Sequence, residues 1–228
     1  MSSPPTVLSQ FLRDQRAKLA QRLGRNSEPW MKVRELDIIV DSLAACRPAH
    51  CLEWGAGAST LYFPPRLPSL VSWLSIEHDR AWHQTTASRN QDPRVTLVCI
   101  PPDHGDYPGT RQEGSYADFQ TYVDYPATLG RQFDFIFIDG RARAACLTQA
   151  FHLVTDQGLV ILHDANRDQY VESLPPFAHL LRLTDYRKGR GGILLASRGR
   201  AIEEFMDVGL HQRLWRGHDR LARWLLMR

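Results

Sequence analysis

Four groups of chemistry-bearing residues are spread along this 228-residue chain, each at the point where an apolar run stops. The first is Cys51-Leu-Glu-Trp-Gly-Ala-Gly-Ala-Ser-Thr60. Here Glu53 stands two places ahead of Gly55, Ala56 separates it from Gly57, and Ser59 and Thr60 follow. A strand that runs into a glycine turn and then a helix lets backbone approach a nucleotide-like ligand closely. The second group is Glu77-His78-Asp79, with Glu77 placed 20 residues after Gly57. A carboxylate at that offset can take both hydroxyls of a ribose through charge-assisted hydrogen bonds. The third is Asp139-Gly-Arg141-Ala-Arg143 and the fourth is His163-Asp164-Ala-Asn166-Arg167. Solvated loops explain one such ending; they explain four, each with a carboxylate, less well.

The elements that must carry these residues follow from apolar periodicity. Helices are expected over 6–22, with Val7, Phe11, Leu12, Leu19 and Leu23 on one face, and over 31–46, with Val33, Leu36, Ile39, Val40 and Leu43 at helical spacing. Strands are expected at 50–54, 72–77, 94–100, 133–138, 158–163, 180–185 and 192–197. Helix-compatible segments at 58–63, 80–89, 115–129 and 141–154 separate the first five. Short apolar strands alternating with helices imply a parallel sheet covered on both faces. The turn from Arg187 to Gly192 is too short for a crossover, so the last two strands form an antiparallel hairpin. Ligands of such sheets bind beyond the carboxyl ends of the strands, where the four polar groups stand. A helical tail follows Arg200, with breaks expected at Gly209 and Gly217. This divides the chain into an N-terminal helical extension (1–46), an α/β core (47–199) and a C-terminal tail (200–228).

The charge pattern narrows the ligand. A dinucleotide site calls for a third glycine where this chain has Thr60, and Glu53 would repel a pyrophosphate. Glu53 suits a cationic group, and Ser59 and Thr60 can donate to a carboxylate. The combination Glu53-x-Gly55-x-Gly57-x-Ser59, the acid Glu77, the run Phe133-Asp-Phe-Ile-Phe-Ile-Asp139 and the closing hairpin resembles the class I S-adenosylmethionine-dependent methyltransferases over roughly residues 31–198. The resemblance implies a Rossmann-like seven-stranded, mostly parallel sheet with a C-terminal antiparallel hairpin and helices on both faces. It implies S-adenosylmethionine as cofactor, held by Glu53, Gly55, Ala56, Gly57, Ser59, Thr60, Glu77 and His78. It also puts Asp139 at the acid that faces cofactor and substrate. The segment after the third strand departs from the family pattern, leaving Asp103 or Asp106 as the adenine contact.

Methyl transfer from a sulfonium needs alignment above all, which is worth roughly 7–11 kcal/mol. A hydroxyl acceptor must also lose its proton. Asp139 or His163 is a candidate base, His163 because a neutral imidazole accepts a proton near neutral pH. Alternatively Asp139, Asp164 and Asn166 hold a divalent cation such as magnesium, although the family's adjacent Asp-Asn pair is here split by Ala165. Arg141, Arg143 and Arg167 suggest an anionic group on the substrate. Tyr107, Tyr116, Tyr122 and Tyr125 could form a lid or a stacking wall for a sugar or aromatic ring.

Composition bounds the rest. No apolar run is long enough to span a membrane, the start of the chain lacks the features of a signal peptide, and the four cysteines (46, 51, 99 and 146) lack metal-site spacing. A cytoplasmic protein with reduced thiols is expected. From Arg187 to the end, ten Lys/Arg stand against four Asp/Glu. Leu214, Leu221, Trp224 and Leu225 alternate there with arginines, giving a basic amphipathic helix. It could lie on an anionic membrane surface or on a partner, though packing back on the domain or on a second subunit is the expected use. The reading is an O-methyltransferase of a small molecule or saccharide. An NAD-linked oxidoreductase and a non-catalytic cofactor-binding module are the alternatives. No nucleic-acid partner is indicated, and the Asn/Asp-Pro-Pro-aromatic motif of base-amino methylation is absent.

Overall fold

The computed structural model describes residues 5–23, 28–104, 113–170, 172, 174–187, 189 and 191–226. Two helices, α1 (Val7–Arg22) and α2 (Val33–Cys46), precede the alternating region. That region runs β1 (His50–Trp54), α3 (Ala58–Tyr62), β2 (Ser72–Glu77), α4 (Arg80–Arg89), β3 (Val95–Cys99), α5 (Gln120–Asp124), β4 (Phe133–Ile138), α6 (Arg143–Leu153) and β5 (Val154–His163). Then come β6 (His179–Leu183), β7 (Ile193–Ser197) and the long terminal helix α7 (Val208–Leu226).

The seven strands lie in the order β3-β2-β1-β4-β5-β7-β6. The first five pair in parallel, and β7 runs antiparallel to both β5 and β6. The order reverses between β1 and β4, so the crevice beyond their carboxyl ends is the place where such a sheet receives a ligand. The strands are apolar on both faces, and successive side chains go to opposite sides. Leu52, Leu74, Ile136, Val160 and Leu194 face α5 and α6, where Tyr122, Val123, Cys146, Leu147 and Ala150 meet them. Cys51, Trp73, Phe135, Phe137, Ile161 and Leu195 face the other way, against Leu36, Ile38, Ile39 and Leu43 of α2. Thus α2 covers one face of the sheet.

The hydrophobic face expected of α1 divides: Val7 and Phe11 turn inward against Gly217 and His218 of α7, whereas the leucines turn outward. Gln10 and Asp14 are buried, while Leu8, Leu12, Leu19 and Leu23 are 61%, 48%, 58% and 60% exposed. Toward α2 the inner side is polar because its neighbours are: Gln10 donates to Asp37 at 2.8 Å, and Val33 N approaches Asp14 Oδ1 at 3.4 Å. Helix α7 is continuous through Gly209 and Gly217. Gly217 lies against Val7 with no room for a Cβ, so glycine there permits close helix approach. On the same side, Trp215 is buried and its ring sits 3.9 Å from the Arg34 guanidinium, which also pairs with Asp219 at 2.6 Å. No helix among the described residues is long and apolar enough to cross a membrane. The four cysteines are free, with Cys51 and Cys146 buried.

Candidate functional site

The carboxyl ends of β1, β2 and β4 open into a cleft of about 840 Å³ lined by Gly55, Ala56, Gly57, Glu77, His78, Asp139 and Arg141, among others. Gly55 has φ +101°, and a Cβ on it would sit 2.6 Å from Gly140 Cα. The β1 and β4 loops therefore meet backbone to backbone, which only glycine allows. Gly55 N donates to Ile76 O at 2.8 Å and Asp139 N to Trp54 O at 2.9 Å, extending the sheet into the loops. The floor of the cleft is thus as fixed as the strands.

Glu53 is fully buried and does not line this cleft. Ser59 Oγ donates to its Oε1; Thr60 Oγ1, Ser75 Oγ and Trp73 Nε1 donate to its Oε2 at 2.7, 2.8 and 2.9 Å. Burial pushes its carboxyl up, against those four hydrogen bonds. The expectation that Glu53 meets a cationic ligand, directly or through water, gives way to an anchoring role: its four donors tie α3 to β1 and β2. The hydroxyls of Ser59 and Thr60, expected to face a carboxylate, are turned to Glu53. Thr60 Oγ1 also accepts from Gly57 N at 2.9 Å, holding the second glycine in place.

Glu77 is buried at the end of β2 but reaches the cleft. Its Oε1 accepts from His78 N at 2.9 Å and Asp79 N at 2.8 Å, and His78 Nδ1 lies 2.7 Å away. Among the described residues nothing donates to Oε2, which leaves that oxygen for a ligand. Trp82 of α4 borders the glycine loop, donating to Ala56 O at 2.7 Å, and Trp30 lies 6.2 Å from it, ring centre to ring centre. Neither tryptophan stands out in the sequence as a site residue. Asp103 does not line the cleft; it accepts from Thr121 N at 3.0 Å. Asp106 and Tyr107 lie outside the described residues. Tyr122 is fully buried and Tyr125 packs against the core, so neither is a lid, while Tyr116 is 45% exposed and donates to Asp124.

A second cleft of about 400 Å³ adjoins the first, sharing Gln21, Pro29 and Trp30 as a common wall. His163, Asp164, Arg167, Glu35 and Lys32 line it. A chain of hydrogen bonds joins the two clefts. Asp139 Oδ1 accepts from His163 Nδ1 at 2.9 Å, and His163 Nε2 meets Glu35 Oε2 at 3.2 Å. Burial pushes the His163 ring down, but the Asp139 charge and the bonds to both carboxylates lift its pKa well above 6.5. The ring is held as an imidazolium with both nitrogens engaged. The reading of His163 as a neutral base does not fit this geometry. Burial pushes Asp139 and Glu35 up, but His163 holds both below the usual carboxylate values, for Asp139 together with Arg143. Asp139 keeps 26% of its side chain exposed. Glu35 went unnoticed in the sequence because its position at the start of α2, three residues after Lys32, reads as a helix cap; it does accept from Lys32 N at 2.9 Å.

The three arginines part company. Arg141 lines the first cleft and Arg167 the second. Arg143 is buried, donates to His163 O at 2.9 Å and lies 3.2 Å from Asp139 and 3.6 Å from Asp164. It is an internal clamp between the ends of β4 and β5, not a substrate contact. Asp164 has φ +60° and accepts from Gly191 N at 2.7 Å. Asn166 is turned to the hairpin, donating to Asp185 O at 2.9 Å and accepting from Asp185 N at 2.7 Å. A divalent cation therefore does not fit the Asp139, Asp164 and Asn166 set. A guanidinium already stands between the two carboxylates and the amide is engaged elsewhere. Among the described residues no group of three or more His, Cys, Asp or Glu could hold a metal.

No protein-family model matches the chain, and no curated protein matches it. Solved structures do. The O-methyltransferase from Bacillus cereus in complex with SAH is 16% identical, with 86% of this chain and 92% of that one covered and a TM-score of 0.52. A cofactor-bound protein from MTB is 18% identical, with 88% and 100% covered and a TM-score of 0.53. A spermidine synthase in complex with the transition-state analogue AdoDATO is 16% identical with a TM-score of 0.51; 76% of this chain is covered, and it spans only 61% of the synthase. Sheet order, antiparallel end and these likenesses define the class: a Rossmann-like, class I methyltransferase-like fold.

Proposed function

We propose that this chain is an S-adenosylmethionine-dependent methyltransferase acting on an oxygen of a small molecule or saccharide that carries an anionic group. The observation that carries the reading is the first cleft. It brings the Gly55–Gly57 backbone, an oxygen of Glu77 to which no described residue donates, and the carboxylate of Asp139 to the switch point of the sheet. In this reading Glu77 Oε2 accepts from a ribose hydroxyl, and the Gly55–Gly57 segment lies along the methionine part. The bound cofactor would supply a methyl group already activated by its sulfonium charge. What supports a second site for the acceptor is the adjoining cleft, where Arg167, Lys32, Lys18 and Arg187 stand beside His163 and Asp164.

The proton of the acceptor hydroxyl passes to Asp139. The pairing with His163 and Arg143 keeps that carboxylate ionised at the lining of the first cleft. In the chain Glu35–His163–Asp139 two carboxylates flank one imidazolium, and Asp139 is the member that lines the first cleft. Calorimetric titration with S-adenosylmethionine, S-adenosylhomocysteine and NAD tests the reading. Binding of the first two is expected, and binding of NAD alone would overturn it.

A further inference from the structure

Helix α1 keeps four leucines on its outer face, and that face has the pattern of a helix–helix seam. Its leucines 8, 12, 19 and 23 fall within about 60° of one another at 100° per residue, on the side away from buried Gln10 and Asp14. All four are about half exposed or more. The apolar band is about 22 Å long at 1.5 Å per residue. It is too narrow for the broad apolar face of a helix lying in lipid and has the width of a coiled-coil seam.

The spacing is also symmetric. Leu8 and Leu23 stand equally far from the midpoint between Gln15 and Arg16, and so do Leu12 and Leu19. A two-fold interface needs a surface that complements itself. Turning α1 about an axis through that midpoint sets Leu8 on Leu23 of a second copy, and Leu12 on Leu19. Gln15 then meets Arg16 of the second copy at the centre, and Arg16 meets Gln15, as a polar layer that fixes register. The arginine stem can extend past the seam to solvent.

We infer that the outer face of α1 is the interface of an antiparallel homodimer. The same helix lends Gln21 to both clefts and Asp14, Ala17 and Lys18 to the second. Within the chain α1 is held by Val7 against Gly217 and by the Gln10–Asp37 hydrogen bond; burying its outer leucines in a dimer would further brace the wall shared by the two clefts. This holds whatever chemistry the clefts perform.

The test uses the full chain. Sedimentation velocity at micromolar concentration is expected to give a dimer, and Leu12→Glu with Leu19→Glu a monomer of half that mass with an unchanged circular dichroism spectrum. A Leu12→Cys, Leu19→Cys chain is expected to form an intermolecular disulfide on mild oxidation, which Leu12→Cys alone does not form efficiently. A monomeric native chain, or a dimer that survives the two glutamates, would overturn the inference. So would flotation of the native chain with phosphatidylcholine–phosphatidylserine vesicles that the glutamates abolish, since lipid would then be the occupant.

Discussion

Replacing Glu35 with glutamine tests the buried charge chain most directly. Glu35 is 1% exposed, and its carboxylate serves three donors: Gly192 N on Oε1 at 3.1 Å, and Lys32 N and His163 Nε2 on Oε2 at 2.9 and 3.2 Å. Glutamine keeps the shape and one oxygen but must turn its NH₂ toward one of these donor sets. Removing one partner of a buried ion pair costs about 3–5 kcal/mol. In a chain of this size that is a fall in Tm of about 6–20 °C, at roughly 2–4 °C per kcal/mol. The lower end is expected, because Asp139 still compensates the imidazolium. A second readout is the His163 ring proton resonance, whose titration should move down from its raised position. The pH dependence follows from the two shifts. The His163 contribution is complete below 6.5 and fades as pH rises through its raised pKa; the Glu35 contribution is present above 4.5 and is lost as pH falls through its lowered one. The gap between native chain and variant is therefore widest between about 4.5 and 6.5. A fall of less than about 2 °C with an unmoved His163 titration would refute the reasoning.

Glu77→Ala should weaken S-adenosylmethionine binding about 10- to 100-fold, the worth of a charge-assisted hydrogen bond; equal affinities by calorimetry would remove Glu77 from the ribose role. Gly55→Ala forces an alanine to φ +101° and its methyl onto Gly140. It should cost at least about 1–3 kcal/mol in denaturant melts and lower cofactor affinity with it. Methyl transfer should continue undiminished after exhaustive treatment with EDTA, because Arg143 occupies the space between Asp139 and Asp164; loss of turnover restored by added magnesium would count against that.

Local pattern carried most of the architecture. Each strand is a short apolar run, and the polar residues after it mark its end, so the seven strands and the four chemical groups were legible from one-dimensional spacing. The hairpin was legible because a short turn excludes a crossover. The order of the strands was not legible, because it rests on pairings such as β1 with β4 between segments distant along the chain. At the site, Glu77 and Asp139 were readable as strand-end acids, and both line the first cleft.

What escaped the sequence depends on neighbours distant along the chain. Glu53 and Glu77 look alike as strand-end carboxylates, yet Trp73 and Ser75 from the next strand enclose the first while the second keeps an oxygen toward the cleft. His163 looks like a neutral imidazole until α2 brings Glu35 to its far nitrogen, 128 residues away in sequence. The apolar stripe of α1 says that the helix is amphipathic, not which face is inside. That was decided by Asp37 and the start of α2, which offer polar partners to Gln10 and Asp14. Periodicity is a property of a segment and survives in the sequence. Burial and charge state belong to a neighbourhood, and only the folded chain assembles one.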